Sequence, residues 1–99
     1  MNYELAFLAE ALKEWEKLGA TVKEHFKKKL EQRLTTPRVK SSKLSGSINR
    51  YKIKLRSSGY RLVYQVEDEI VTVVVIAVGK RERNRVYKMA SKRIFKNDE

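Results

Sequence analysis

Residues 50–66 contain the pattern that most constrains the fold of this chain. Apolar and cationic side chains alternate through two runs, and the turn signal Ser57-Ser58-Gly59 separates them. Because successive side chains of a strand point to opposite faces, this alternation predicts a β-hairpin with one packed face and one basic face. A loop of two or four residues around Ser58-Gly59 places Arg56 opposite Arg61. The basic face then carries Lys52, Lys54 and Arg61, and the packed face carries Tyr51, Ile53 and Leu55.

The net charge of the chain, +11, is concentrated around this hairpin. Residues 1–31 carry six cations and six acids, residues 32–66 carry nine cations and no acid, and residues 67–99 carry eight cations and six acids. Like charges on one patch of a sheet repel each other, so the pattern favours a partner that supplies negative charge, either nucleic acid or an acidic protein. A basic face that serves only solubility is the alternative.

Two amphipathic helices are predicted between a short first strand and the hairpin. Alternation over residues 3–7 indicates the strand, and apolar side chains at helical spacing over residues 8–18 indicate the first helix. The capping-box pair Thr21 and Glu24 predicts where the second helix begins, and Pro37 predicts where it stops. Each helix has one apolar stripe, so the pair is expected to form an antiparallel hairpin that covers a sheet.

Two further elements are predicted after the β-hairpin. The almost wholly apolar run over residues 70–78 fits a strand that is covered on both faces, and Gly79 is expected to break it. Asn84 is expected to cap a last helix. The side chains expected to point inward from this helix are Val86, Met89, Ala90 and Ile94.

The element order β-α-α-β-β-β-α predicts the fold class. It indicates a small α+β domain in which an antiparallel sheet packs against an N-terminal helical hairpin and a C-terminal helix. One domain is expected over residues 1–95, followed by a short polar tail at residues 96–99. A basic connector over residues 38–49 leads into the sheet, with Leu44 as its expected anchor.

Composition excludes several classes of site. The chain has no cysteine, which excludes disulfides and thiolate metal sites, and its only histidine is His25. No group of side chains has the spacing of metal ligands, so neither a metal nor a cofactor is expected. No apolar run approaches the roughly 20 residues that span a bilayer, and the N-terminus lacks the pattern of a signal peptide. A cytoplasmic protein without a membrane partner is therefore expected.

Longer runs of residues resemble a known family. The run Lys52 to Tyr64, the run Val78 to Arg83 and the pair Val86-Tyr87 together resemble the RelE toxin family of the RelE/ParE superfamily. The resemblance extends upstream through Ala11 to Gly19 and covers residues 1–95. It implies the toxin of a bacterial toxin–antitoxin pair, a ribosome-dependent endoribonuclease that cleaves messenger RNA (mRNA) in the vacant A site of the 70S ribosome, beside 16S ribosomal RNA.

The resemblance also implies partners and site residues. A cognate antitoxin protein is expected to neutralise the toxin, and operator DNA is expected to be bound only through the toxin–antitoxin complex, as a transcription repressor. The residues tied to catalysis in the family match Lys52, Lys54, Arg61, Arg81 and Tyr87. Contacts to ribosomal RNA, or simply solvated charge, are expected of Arg56, Arg83, Lys13, Lys27, Lys28 and Lys29.

The residue types require a cleavage chemistry without a pair of histidines. Without metal, RNA is cut when the ribose 2′-OH attacks the adjacent phosphorus, which requires a base, positive charge near the phosphorane and an acid for the leaving oxygen. Tyr87 is the candidate base if neighbouring cations favour its phenolate, and Lys54 is the alternative or shares the role. Arg81 is expected to face the leaving oxygen, where it stabilises charge, because arginine holds its proton past about pH 12.

Two other functions remain open at this point. A toxin of the same fold that inhibits DNA gyrase has no need of these cations and Tyr87 together. A non-catalytic RNA-binding module binds RNA without cutting it. Taken singly, Tyr87 also fits a packed helix position, and Lys52 and Lys54 also fit a solvated strand face.

Overall fold

The computed structural model describes residues 2–82 and 84–96 of the chain. Within them the predicted element order and the α+β class are confirmed. A short 3₁₀ turn, Lys40–Ser42, lies in the connector. The helices and strands are β1 (Glu4–Phe7), α1 (Ala9–Glu16), α2 (Ala20–Thr35), β2 (Arg50–Leu55), β3 (Tyr60–Glu67), β4 (Thr72–Lys80) and α3 (Arg85–Lys92).

The four strands form one mixed sheet in the order β1-β4-β3-β2. β2, β3 and β4 pair antiparallel, whereas β1 lies parallel to β4, with Glu4 beside Thr72 and Phe7 beside Val75. The expectation of a wholly antiparallel sheet is therefore wrong for this edge strand. Two helices and two strands separate β1 from β4 in the chain, so no tight turn dictates an antiparallel pairing and the long crossover permits the parallel one.

The last residue pair of the hairpin between β2 and β3 is Leu55 with Tyr60, so β2 ends one residue before the predicted pairing of Arg56. The N–H of Gly59 donates to the Leu55 carbonyl at 2.8 Å, and Gly59 adopts a φ of 76°, which favours glycine. As a result Lys54 lies opposite Arg61, and Arg56 lies in the loop. The predicted pairing of Arg56 with Arg61 is wrong, but the prediction that Arg61 shares a face with Lys54 is confirmed.

Helices cover both faces of the sheet, and β4 is buried on its two sides as predicted. The first core lies beneath α1 and α2, and its main side chains are Phe26, Leu30, Tyr51, Ile53, Leu62, Tyr64, Val73 and Val75. The second core lies beneath α3 and contains Val63, Val74, Ile76, Ala77, Val86 and Ala90. Because Tyr51 and Ile53 point into the first core, the cations that alternate with them face the α3 side of the sheet.

The predicted capping box at the start of α2 is wrong. The helix begins at Ala20, and Thr21 lies inside its first turn. Gly19 occupies the N-cap position with φ −68° and ψ 159°, so the extended backbone that an N-cap needs comes before the predicted cap, and no side chain there bonds to a backbone N–H. The helix ends at Thr35, before Pro37, as predicted.

α3 approaches the sheet closely at Gly79, which lies within β4 and does not break it. A Cβ atom at Gly79 would lie 3.1 Å from Cγ2 of Val86, so the absence of a side chain admits the helix. Asn84 precedes α3 with a φ of 62°, and its side chain makes no capping hydrogen bond, contrary to expectation. Ile94 lies past the end of α3 and is 73% exposed, so its predicted inward orientation is wrong, whereas Phe95 packs against the second core.

Tyr64 ties α2 and the connector to the sheet. Its side chain is fully buried, its hydroxyl donates to the Pro37 carbonyl at 2.6 Å, and Nη1 of Arg33 donates to it at 2.9 Å. Burial raises the pKa of Tyr64 above the ordinary tyrosine value, and the Arg33 guanidinium opposes this shift. The folded state therefore depends on the neutral hydroxyl.

Tyr64→Phe is expected to reduce the free energy of unfolding by about 1–3 kcal/mol, because it removes the partner of a buried carbonyl and of a guanidinium. The raised pKa of Tyr64 adds a pH signature. Stability that depends on the neutral hydroxyl is present below the unfolded-state pKa of about 10 and is lost as the pH rises through the folded-state value. Wild type should therefore lose more stability than Tyr64→Phe in this alkaline range.

Urea unfolding near pH 8 and near pH 11 measures both effects. Tyr51→Phe is the matched control, because the Tyr51 hydroxyl accepts a single long hydrogen bond, of 3.3 Å, from Arg38. Equal losses of stability in the two variants near pH 8 would contradict the role assigned to Tyr64.

Candidate active site

The register of the strands brings three cations together at one end of the sheet. Lys54 of β2 lies opposite Arg61 of β3, and Arg61 in turn lies opposite Gly79 of β4. Lys52 lies on the same face of β2 as Lys54, at about 7 Å along an extended strand. Three of the predicted catalytic side chains therefore share the α3 side of the sheet.

Arg81 reaches this group from the chain that follows β4. Its backbone N–H donates to the Gly59 carbonyl at 2.6 Å, which holds the end of β4 against the hairpin loop. Its side chain is exposed, and its charge acts on Lys54. Lys52, Lys54, Arg61 and Arg81 are called the cationic cluster below.

Tyr87 reaches the same side of the sheet from α3. Its ring packs against the second core and lines, with Arg50 and Lys52, an open groove of ≈ 1380 Å³ between the connector, β2, β3 and α3. Its hydroxyl oxygen is buried and has no hydrogen-bond partner within residues 2–82 and 84–96. Buried polar groups are nearly always hydrogen-bonded, so a phenol without a structural partner is a candidate for contact with a substrate.

The cations of the cluster perturb one another. The ammonium of Lys52 is the largest cause that lowers the pKa of Lys54 below the ordinary lysine value, followed by burial and then by Arg61, Arg56 and Arg81. A lowered pKa increases the fraction of neutral amine near neutral pH, which makes Lys54 more available as a general base. The same field favours a bound anion.

Arg61 is the most buried member of the cluster, with 7% of its surface exposed. Its Nη1 donates to the backbone carbonyl of Tyr60 at 2.9 Å. The described part of the chain forms two ion pairs, and neither includes a cation of the cluster. A largely buried arginine without a carboxylate partner loses hydration, and an anion that binds from outside offsets that loss. The cluster is therefore suited to hold a phosphate.

A smaller basic cleft, of ≈ 490 Å³, adjoins the cationic cluster. Lys28 and Lys29 of α2 line it together with Lys54 and Arg56 of the hairpin. Lys54 belongs to both the cleft and the cationic cluster. A polyanion that extends from the cluster into the cleft therefore meets Lys28 and Lys29 next. Lys27 lies elsewhere, beside an apolar groove between β1, α1 and α2.

The other predicted RNA contacts are not brought to this site. Lys13 is exposed on α1, which covers the opposite face of the sheet. Arg83 lies outside the described residues. The structure therefore joins Lys28, Lys29 and Arg56 to the cationic cluster and leaves Lys13 apart from it.

Two arginines that support the site are missing from the sequence prediction. Nη1 of Arg33 donates to the Lys52 carbonyl at 3.3 Å, and Arg50 lines the groove beside Tyr87. Arg50 continues the alternation of Lys52 and Lys54, so its face was readable from the sequence. Arg33 lies in a helix, and no local pattern indicates its contact with β2.

Comparison with known proteins places the chain in a family. The sequence model of the ParE toxin of the type II toxin–antitoxin system, parDE, matches residues 5–85. Over 95 residues the chain is 63% identical to the mRNA interferase toxin RelE of Escherichia coli strain K12, which corresponds to 96% of this chain and 100% of that protein. The mRNA interferase RelE of Shigella flexneri matches to the same extent. This chain belongs to the RelE family of the RelE/ParE toxins.

Solved RelE structures share the fold. The free state of a double arginine-to-alanine variant of E. coli RelE matches with a TM-score of 0.88 at 60% identity, over 96% of this chain and 100% of that chain. A chain in the intact E. coli RelBE toxin–antitoxin complex matches with a TM-score of 0.79 at 63% identity, over 82% and 99% of the two chains. The RelE resemblance in the sequence is thus confirmed.

Two kinds of feature are absent from residues 2–82 and 84–96. None of their helices is both long enough and apolar enough to cross a membrane. They also contain no group of three or more histidine, cysteine or carboxylate side chains placed to hold a metal ion.

Lys52→Met is expected to raise the pKa of Lys54, because it removes the largest of the charges that lower it. Heteronuclear NMR titration of the lysine side-chain resonances measures the change. Lys27→Met is the matched control, since it removes the same charge beside the apolar groove and should leave the Lys54 titration unchanged. A Lys54 curve that is the same in wild type and in Lys52→Met would show that the two side chains are not coupled.

Proposed function

We propose that this RelE-family chain is the toxin of a toxin–antitoxin pair and acts as an endoribonuclease that cuts mRNA in the ribosomal A site. The observation that carries the proposal is the cationic cluster, which has no carboxylate partner among the described residues and lies on the Tyr87 side of the sheet. The E. coli and Shigella flexneri relatives are named mRNA interferases. The domain responsible is proposed to span residues 1–95.

The proposed reaction is an internal transfer within the RNA. The ribose 2′-OH attacks the adjacent phosphorus, the bond to the 5′-oxygen of the next nucleotide breaks, and the products are a 2′,3′-cyclic phosphate and a free 5′-OH. A base takes the proton of the 2′-OH, and a proton is delivered to the departing oxygen. Lys52 and Arg61 stabilise the negative charge that develops on the phosphorane oxygens.

Lys54 and Tyr87 are the two groups suited to the role of base. The lowered pKa of Lys54 supports its neutral amine near neutral pH, and the Tyr87 hydroxyl is not engaged by the described residues. Arg81 acts on the leaving oxygen through its charge, because a guanidinium is a poor proton donor. These side chains supply the positive charge that metal ions supply in other nucleases. Cleavage is therefore proposed to need no metal ion bound by the protein.

Such a site is slow on free RNA, because neither candidate base has an ordinary pKa near 7. A ribosome that holds the codon in line supplies orientation, and proximity of this kind contributes up to about 7–11 kcal/mol. The basic cleft beside the cluster is suited to the phosphates of mRNA or 16S ribosomal RNA. Dependence on the 70S ribosome follows from these two features.

The antitoxin is proposed to be the second partner. An E. coli RelE has been solved in an intact RelBE toxin–antitoxin complex. For this chain, a cognate antitoxin that covers the cationic cluster with acidic side chains, or that displaces α3 and Tyr87, would abolish cleavage. Operator DNA is proposed to bind only to that complex, and the site of action is proposed to be the cytoplasm.

The test is cleavage of mRNA on purified 70S ribosomes with a vacant A site, beside the same RNA free in solution. Cuts within the A-site codon that need the ribosome support the proposal. Ribosome binding without a cut points to a non-catalytic RNA-binding module. If neither occurs, a DNA supercoiling assay tests inhibition of gyrase by a toxin of this fold.

Arg81→Ala and Tyr87→Phe are each expected to lower the single-turnover cleavage rate by about 10²–10⁴-fold, because each removes a group that acts on the reacting atoms. Ribosome affinity should change little. Lys27→Ala and Tyr3→Phe are the matched controls, since Lys27 lies beside the apolar groove and the Tyr3 hydroxyl donates to Asp68, away from the cluster. An unchanged rate in either test variant removes that residue from the mechanism.

Lys28→Ala combined with Lys29→Ala is expected to weaken ribosome binding most at low salt, where contacts to phosphate contribute most, and less as salt rises. Each lost phosphate contact should reduce the slope of log affinity against log salt by about 0.7–0.9. Lys27→Ala is the control, because Lys27 lies outside the basic cleft. A loss of affinity that does not depend on salt would indicate damage to α2 instead.

A further inference from the structure

The guanidinium of Arg50 binds the C-terminal end of α3 to the sheet. Its Nη1 donates to the Ala90 carbonyl at 2.5 Å, and its Nη2 donates to the Arg93 carbonyl at 2.6 Å. Its Nε donates to Oε1 of Gln65 at 2.9 Å. Arg50 and Gln65 lie opposite each other in the register of β2 and β3, so both point toward α3. One side chain therefore makes three directed bonds to a helix end and to the sheet beneath it.

These bonds add donors at the C-terminal end of the helix, where the Ala90 carbonyl accepts the backbone N–H of Arg93 at 3.0 Å and Arg93 is the first residue past α3. The last carbonyls of a helix have no intrahelical partner, and they carry the negative end of the helix dipole. The Arg50 guanidinium brings positive charge to this negative end, and it gives the Ala90 carbonyl a second donor and the Arg93 carbonyl a side-chain donor. Gln65 extends the attachment, since its Nε2 donates to the Phe95 carbonyl at 3.2 Å.

A second attachment joins α1 to the same helix end. Arg93 forms an ion pair with Glu14 at 2.9 Å, and its Nη1 donates to the Ile76 carbonyl at 2.9 Å. Glu14 also accepts the backbone N–H of Val78 at 3.1 Å. The C-terminal end of α3 is thus attached on two sides, by Arg50 from β2 and by Glu14 from α1.

The rest of α3 is held by few buried side chains. The helix has eight residues, and its buried side chains are Val86 and Ala90. Its N-terminal end has no side-chain cap. A helix of this length is marginal by itself, so its position depends on tertiary contacts. Ala90 lies one turn after Tyr87, about 4.5 Å along the axis, so a change at the attached end carries over to the phenol.

We propose that Arg50 is a positioning residue for Tyr87. By holding the end of α3 to β2, Arg50 sets where the Tyr87 hydroxyl lies relative to Lys52, which lines the same groove. The consequence for cleavage rests on the proposed function. The position of the Tyr87 side chain does not depend on the proposed function, and it can be measured in the absence of RNA.

The test of placement compares Arg50→Ala, Arg50→Lys and Arg38→Ala by hydrogen exchange and by fluorine NMR of protein labelled with 3-fluorotyrosine. The Tyr87 resonance is assigned with Tyr87→Phe. In Arg50→Ala, the α3 amides should exchange at least about tenfold faster, the Tyr87 resonance should shift or broaden, and the β3 and β4 amides should stay protected. Arg50→Lys should restore part of the effect, because one ammonium cannot reproduce three bonds from a planar fork. Arg38→Ala removes an equal charge and should leave α3 unchanged.

The test of consequence is single-turnover cleavage on ribosomes. Arg50→Ala should lower the rate about tenfold at unchanged ribosome affinity, and it should add little to the loss in a Tyr87→Phe background, because both changes act through the same hydroxyl.

Three outcomes overturn the inference. One is an unchanged Tyr87 resonance and unchanged α3 exchange in Arg50→Ala. Another is equally faster exchange in β3 and β4, which shows a general loss of stability. The third is a shifted Tyr87 resonance in Arg50→Ala together with a cleavage rate equal to that of wild type. If wild-type protein does not cleave, the proposed function fails, and the exchange and fluorine measurements still decide whether Arg50 positions Tyr87.

Discussion

The burial of β4 on both faces is the constraint on which the rest of the structure depends. The strand is buried from Thr72 to Val78, and its last two residues, Gly79 and Lys80, lie nearer the surface. A strand of this kind needs a layer on each side. α1 and α2 supply one layer, and the short α3 supplies the other. The register sets Arg61 against Gly79, where the N-terminal end of α3 packs on the sheet, so the cations collect beside that end of the helix.

The cationic cluster opposes folding and promotes binding for the same reason. Folding brings Lys52, Lys54 and Arg61 onto one face, where like charges repel and the neighbouring cations lower the pKa of Lys54. The two apolar cores stabilise the fold against it. A polyanion that enters the groove relieves this repulsion between the cations. The relief contributes to the free energy of binding.

The faces of β2 and β3 could be predicted from the sequence, because the side-chain period of a strand does not depend on tertiary contacts. The loop position of Arg56 could not, since it depends on where Gly59 adopts a positive φ. From the sequence alone Gly79 is predicted to end the strand, because its role in admitting α3 depends on a tertiary contact with Val86. The parallel docking of β1, and the approach of Lys28 to the hairpin, are long-range contacts that no local pattern encodes. Tyr87 was predicted from the family resemblance, because by spacing alone it is a packed helix residue.

The attachment of α3 explains how a groove can stay open beside a helix that is held in place. A larger apolar interface would fix Tyr87 equally well, but it would bury the face on which the cations lie. Hydrogen bonds to carbonyls are directional and need little buried area, so they define an orientation without closing the groove. An arginine is suited to this role because its planar fork reaches several acceptors at once. Arg50 stands at the first position of the strand that also carries Lys52 and Lys54, so one strand presents two cations of the cluster and holds the helix that carries the phenol.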